Sequence, residues 1–206
     1  MKLLEIVRGR DTSPETIATA IKLAKTLRKV GVLSANAFGF IGNRMLFDYA
    51  REAIGLAEEG VAPERVDRAM RDFGMAMGPF AMFDLSGLDV FWHIQQSNPA
   101  VTANRSAIVD RLYRERRFGQ KSGAGFYRYE NGGREPLPDP VTIELLREEA
   151  ATAGIAPHPD VSDAEIVRRL VGALGSAGAE LLRTGVALRP GDIDIAYVYG
   201  YGFPPY

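Results

Sequence analysis

AREAIGLAEEGVAPERVDRAMRDFGMAMGPF, residues 50–80, runs parallel to SAGAELLRTGVALRPGDIDIAYVYGYGFPPY, residues 176–206. Each carries a long helix-forming stretch, a Gly-Val-Ala turn, a proline-started shorter helix bearing aspartate, and a closing segment of glycine, aromatics and proline. Self-similarity on this scale is one supersecondary unit used twice, so the fold is expected to be a helical duplication. Periodicity agrees. From about Ile41 to Glu59 the apolar positions Met45, Leu46, Tyr49, Ala53, Leu56 and Ala57 keep helical spacing, and Gly60 is placed to end the helix. Pro63 starts the next, with Val66, Ala69, Met70 and Phe73 on its inner face and Gly74 as its stop. In the second copy Ile166, Leu170, Leu174, Ala177 and Leu181 mark a helix from near Ser162 to Gly185. The first copy continues through an apolar stretch, Pro79 to Ile94, expected to be buried centrally, whereas the second stops at Tyr206 and reads as truncated.

Upstream of the repeat, Leu3, Leu4, Ile6 and Val7, broken by Glu5 and closed by Gly9, read as a strand. Thr12 and Glu15 have capping-box spacing ahead of a helix from about Pro14 to Lys29, with Pro14 in its first turn. Gly31 ends that helix, and Val32 and Leu33 read as a short extended link. With no partner strand legible downstream, the first segment is expected to be the last strand of a sheet whose remainder lies elsewhere. Arg117 to Tyr129 is expected to be ordered but extended, and 130–140, ENGGREPLPDP, to be a linker.

Composition excludes several classes. In 206 residues, 46% hydrophobic content is enough for a packed core. A net charge of -1 leaves no basic field for nucleic acid. The lack of cysteine removes disulfides, thiolate nucleophiles and Cys-based zinc, which fits a reducing compartment, with the cytoplasm as default. No apolar run approaches the ~20 residues that cross a bilayer, and MKLLEIVRGR is too charged for a signal peptide, so no membrane partner is expected.

Chemistry-bearing residues are few. GAGFYR at 123–128 and GYGFPP at 200–205 begin like dinucleotide fingerprints but lack the third glycine and the strand-turn-helix setting, so neither is a cofactor site. His93 sits in an apolar helix and His158 between two prolines, contexts that suit a packing and a solvated histidine better than a general base.

AFGFIGNRML (37–46), FGMAMGPFAMFDLSGLDV (73–90) and RFGQKSGAGFY (117–127) occur in an order and spacing that resemble the L-3-hydroxyacyl-CoA dehydrogenases. The ending ALRPGDIDIAYVYGYGFPPY resembles the fused multifunctional enzymes of fatty-acid β-oxidation. Phe38, where many relatives have proline, and Asp48, where proline or alanine is usual, depart from the pattern.

The resemblance implies a mainly α fold of duplicated helical units like the C-terminal domain of 6-phosphogluconate dehydrogenase, with a remnant N-terminal strand. Its domains would be 1–10, the last strand of a missing Rossmann domain; 11–130, a first helical domain; 131–160, a linker; and 161–206, a truncated second copy. It implies an NAD-dependent oxidation of 3-hydroxyacyl-CoA in the intact parent, with NAD and the catalytic histidine held outside this chain and no cofactor bound here. Glu5 matches the glutamate that pairs with that histidine, where a carboxylate orients the imidazole and stabilises its charged form; in the plainer reading it is a solvated strand charge. Asn43 matches the asparagine beside the reacting oxygen, where a neutral amide donates a hydrogen bond; in the plainer reading it is a polar residue at a helix start. Arg44 suits a structural ion pair better than CoA phosphate, and Lys121 reads as a surface lysine in a glycine-rich turn rather than a CoA contact. Partners implied are the acyl-CoA substrate, the Rossmann domain and a second copy of the chain. A non-catalytic helical packing or oligomerisation module is the alternative function.

Overall fold

The computed structural model describes residues 1–97 and 105–205, so Tyr206, the last residue of the second repeat, lies outside the described residues. Strand β1 (Leu3–Arg8), helix α1 (Pro14–Thr26) and strand β2 (Val30–Ala35) open the chain. The strands pair in parallel, Leu3 with Val30 through Arg8 with Ala35, which makes a β-α-β unit. This corrects the expectation of a lone strand. The expected link of Val32 and Leu33 is instead part of a six-residue strand, whose apolar pattern Gly31 and Ser34 interrupt. Gly31 sits tightly there: a Cβ would lie 3.2 Å from both Ala24 and Ile6, so those neighbours would have to give way. Helix α1 is capped by Ser13, whose Oγ accepts from Thr16 N at 3.2 Å, one residue later than expected; Thr12 Oγ1 instead accepts from Gly9 N.

The repeat is built as two matching runs of elements. Helix α2 (Gly42–Glu58) is followed by Gly60 at φ 92° and the 11-residue α3 (Pro63–Phe73). Helix α8 (Asp163–Arg183) is followed by Gly185 at φ 70° and the 11-residue α9 (Pro190–Gly200). Left-handed glycines reverse the chain without Cβ strain, and the prolines pre-set the first turn of the helix that follows. After α3 come α4 (Pro79–Ser86), α5 (Leu88–Ser97), α6 (Ala107–Arg114), a short 3-10 turn at Gln120–Ser122, and α7 (Pro140–Ala153).

Helix α7 corrects the linker expected over 131–160. Asp139 caps it by accepting from Val141 N at 3.0 Å, Pro140 opens it, and Leu145, Leu146 and Ala150 are buried. The apolar stretch 79–94 also differs from expectation. Gly87, at φ 96°, breaks it into α4 and α5, and while Phe80, Phe83 and Leu88 are buried, Leu85 and Val90 are 54% and 49% exposed.

Two compact units result. The first comprises Met1–Tyr49, Gly74–Ala76 and Leu170–Tyr206; the second, Ala50–Phe73 and Met77–Arg169. In the first, α1 and α9 both pack on the two-stranded sheet, and Ser34 makes an antiparallel bridge with Ala187. In the second, two buried aspartates hold the aromatic core. Asp67 accepts from Phe80 N (2.8 Å), Ala81 N (2.9 Å) and Tyr127 OH (2.9 Å), capping α4 from another helix. Asp84 accepts from Phe126 N (2.9 Å), Tyr127 N (2.9 Å) and Tyr129 OH (3.0 Å). A Cβ on Gly78 would fall 2.3 Å from Asp67, and one on Gly125 2.1 Å from Asp84. The glycines of MGPF and GAGFY are thus there to admit carboxylates.

Candidate functional site

The route into the site is the turn between β2 and α2. Gly39 and Phe40 both adopt positive φ, 78° and 49°, a conformation that costs a bulky residue of Phe40's kind energy and persists only where the surroundings enforce it. A Cβ at Gly39 would lie 2.8 Å from Arg44 N. The turn delivers Ile41 and Gly42 with their N–H groups unpaired within the helix, as the first donors of any α-helix are.

Glu5 takes both. Reaching from the middle of β1, its Oε2 accepts from Ile41 N at 3.1 Å and its Oε1 from Gly42 N at 3.0 Å. The carboxylate is half-buried at the positive end of α2, so it is no solvated strand charge. Asn43 is the next residue, on the exposed side of the first turn. Its Oδ1 does not cap the helix; it accepts from Tyr201 OH at 2.6 Å. The two sequence-predicted site residues therefore stand on one helix start, Glu5 bonded to residues 41 and 42 and Asn43 directly following.

Tyr201 was not expected from sequence, and neither was Tyr197, whose hydroxyl donates to the Gly42 carbonyl at 3.3 Å. Their rings stack at 5.0 Å, and the Tyr201 ring occupies the space a Cβ on Gly42 would fill, at 2.1 Å. Burial, then the nearby Glu5 charge, pushes the Tyr201 hydroxyl well above its ordinary pKa, so it stays a protonated donor. The only sequence signal was the GYGF run, where aromatics alternate with glycine.

Arg44 pairs with Asp48 at 3.1 Å, one helical turn on, and Lys121 with Asp89 at 2.5 Å, so both are ion-pair residues. His93 is exposed and meets the rings of Trp92 and Tyr113 edge-on, and exposed His158 donates its backbone N–H to Glu59 O. Both belong to the second unit, not to the one holding Glu5 and Asn43. Among the described residues no cluster of three or more His, Asp or Glu could hold a metal ion.

The glycine runs do not fit a dinucleotide. Gly125 is closed by Asp84, Gly200 by Leu3 and Gly202 by Ala76, so the backbone at these three glycines is not open to a pyrophosphate. The β1-α1 turn carries only Gly9.

Residues 39–129 match the family model for the 3-hydroxyacyl-CoA dehydrogenase C-terminal domain, and residues 1–37 match that for the 3-hydroxyacyl-CoA dehydrogenase NAD binding domain. This chain belongs to the 3-hydroxyacyl-CoA dehydrogenase family. The junction between the two models falls in the turn before α2, so Glu5 and Asn43 come from different models of one dehydrogenase. The chain is 42% identical to the peroxisomal bifunctional enzyme of Danio rerio, over 99% of this chain and 30% of that protein. It is 34% identical to a glyoxysomal fatty acid beta-oxidation multifunctional protein of Brassica napus, over 100% of this chain and 29% of that one. It thus spans about 30% of the length of such curated relatives. Among solved structures, the dehydrogenase part of multifunctional enzyme 1 from C. elegans matches with a TM-score of 0.75 and 27% identity, over 99% of this chain and 46% of that chain. The 3-hydroxybutyryl-CoA dehydrogenase of Escherichia coli K12, at 24% identity, shares the fold with a TM-score of 0.79 over 99% of this chain and 59% of that chain. No helix among the described residues is long and apolar enough to cross a membrane.

Proposed function

We propose that this chain supplies the substrate side of an NAD-dependent (S)-3-hydroxyacyl-CoA dehydrogenase, in which the 3-hydroxyl is oxidised to a 3-ketone. One observation carries the reading: Glu5 binds the first two N–H groups of the α2 start, and Asn43 is the residue that follows them. A carboxylate has about four lone-pair sites, and the two backbone N–H groups occupy two, one on each oxygen. The rest are free to accept from an imidazole. Glu5 then orients that ring and stabilises the imidazolium formed when it takes the hydroxyl proton. The Asn43 carbonyl is engaged by Tyr201, while its NH2 group has no bond within the chain among the described residues. It is the group placed to donate to the reacting oxygen, where it stabilises charge without competing as a base.

The nicotinamide and the histidine are, in this reading, held by residues outside these 206. The acyl-CoA is the substrate partner, and a second copy of the chain the assembly partner. A cytoplasmic setting remains part of the proposal, although the names of the relatives are peroxisomal or glyoxysomal.

The decisive experiment joins the chain to an NAD-binding domain. Acetoacetyl-CoA reduction by NADH is expected in the joined protein and not in the 206-residue chain alone. Glu5→Gln is expected to lower kcat by roughly 10² or more, the scale of lost general-base help, with NADH affinity nearly unchanged. Full activity in that variant, or turnover by the isolated chain, would sink the assignment. The packing-module reading is favoured by the exposed Phe38 and Phe40. It predicts that acetoacetyl-CoA leaves the Asn43 resonances of the chain unmoved even at millimolar concentration.

A further inference from the structure

The second copy of the repeat does more than pack. From its last helix and the residue that caps it, it sends two tyrosines back to the start of α2, 155 and 158 residues upstream in sequence. Tyr197 is buried and bonded to the Gly42 carbonyl, so its role is to hold the helix start. Tyr201 differs. It touches a side chain, and that side chain is Asn43.

We infer that Tyr201 is a positioning residue for the dehydrogenase reaction, fixing the Asn43 amide so that its NH2 group, and not its carbonyl, faces the substrate oxygen. The inference rests on the functional reading given for Asn43. A side-chain amide has an acceptor end and a donor end of nearly equal size, and its last torsion is broad and roughly two-fold. Left to itself, Asn43 on the exposed first turn of α2 populates both faces. Half of them would set a carbonyl against the substrate oxygen, lone pair against lone pair. The 2.6 Å bond from Tyr201 OH to Oδ1 selects one face, and the same bond polarises the amide so that its N–H groups become better donors.

The surroundings hold Tyr201 to this task. Its ring stacks on Tyr197 at 17° and lies over Gly42, which has no Cβ to displace it. On its far side Gly202, at φ 71°, abuts Ala76, and Ala76 N donates to Gly202 O at 3.0 Å, fixing the chain just past the ring. The hydroxyl remains protonated through the neutral range, as argued above, so it cannot turn acceptor by ionising.

The test has a spectroscopic and a kinetic arm. In the 15N-labelled 206-residue chain, Tyr201→Phe keeps the ring and removes only the hydroxyl. The Asn43 side-chain NH2 resonances are expected to shift and its amide hydrogens to exchange faster, with the melting temperature and backbone spectrum otherwise preserved. Unmoved NH2 resonances would overturn the inference. In the dehydrogenase formed with an NAD-binding domain, Tyr201→Phe is expected to lower kcat roughly tenfold to a hundredfold, the cost of a misaligned group, while KM stays within about twofold. Asn43→Ala with Tyr201→Phe should be no slower than Asn43→Ala alone, because Tyr201 acts only through that amide. If Asn43→Ala is crippled and Tyr201→Phe runs at the parent rate, the inference fails and the function stands. If Asn43→Ala is itself fully active, the reading of Asn43 fails, and the inference with it.

Discussion

Asp67 and Asp84 carry charge where charge is costly. Burial raises both carboxyls from 3.8 to about 6, against the pull of the backbone and tyrosine donors that each accepts. In the unfolded chain they release protons near pH 4; in the folded chain, near pH 6. Between those values the folded state binds more protons, so this contribution to stability is complete below about 4 and is lost as pH rises through 6. Asp67→Asn removes one such group. Relative to the parent, its unfolding free energy should fall less steeply from pH 4 to 6, by on the order of 2 kcal/mol across the window, measured by urea denaturation. Identical slopes would show that the carboxyl does not titrate there. Neither aspartate was legible in sequence, because an aspartate within a helical pattern reads as the solvated face, and what marks these two as buried is glycine arriving from segments 11 and 41 residues away, at Gly78 and Gly125. Glu5 and Asn43 were legible through motif resemblance. Tyr201 was not, since its partner is 158 residues distant and periodicity reports only on near neighbours.

Among the elements, those with an uninterrupted apolar period and an end signal were readable: α2 with Gly60, and α3 between Pro63 and Gly74. Strand β2 and helix α7 were not. The first is six residues broken by glycine and serine, and the second follows a proline- and glycine-rich stretch that masks its start. Helix α7 depends on Asp139, which is buried, caps the first turn, and pairs with Arg117; that guanidinium also reaches Thr142 Oγ1 at 2.8 Å and Gly125 O at 3.1 Å. Asp139→Ala removes the cap, worth about 1 kcal/mol, and leaves a largely buried arginine without its counter-ion. A loss of about 3 kcal/mol is expected in chemical denaturation. A loss under about 0.5 kcal/mol would mean that α7 is held by its apolar face alone.

At the scale of the whole molecule, several large apolar side chains stand at the surface. Leu3 and Ile6 are half-buried, Leu23 on α1 and Leu27 at its C-cap are each 54% exposed, and Phe38 and Phe40 beside the candidate site stand open at 41% and 37%. Exposed apolar side chains of this number favour self-association of the 206-residue chain. Sedimentation at rising concentration is expected to show dimers or larger species, and Leu23→Lys with Leu27→Lys to shift the distribution toward monomer. An unchanged distribution would place the contact elsewhere. The two aspartates also set a clock. Their four backbone partners, Phe80, Ala81, Phe126 and Tyr127, owe their bonds to side chains 13 to 43 residues away and not to a helix ladder. Such amides cannot be released by the fraying of a single helix; they open only when the segments separate. In deuterated solvent these four should therefore exchange slowly and at a common rate, a single cooperative opening written across a third of the chain.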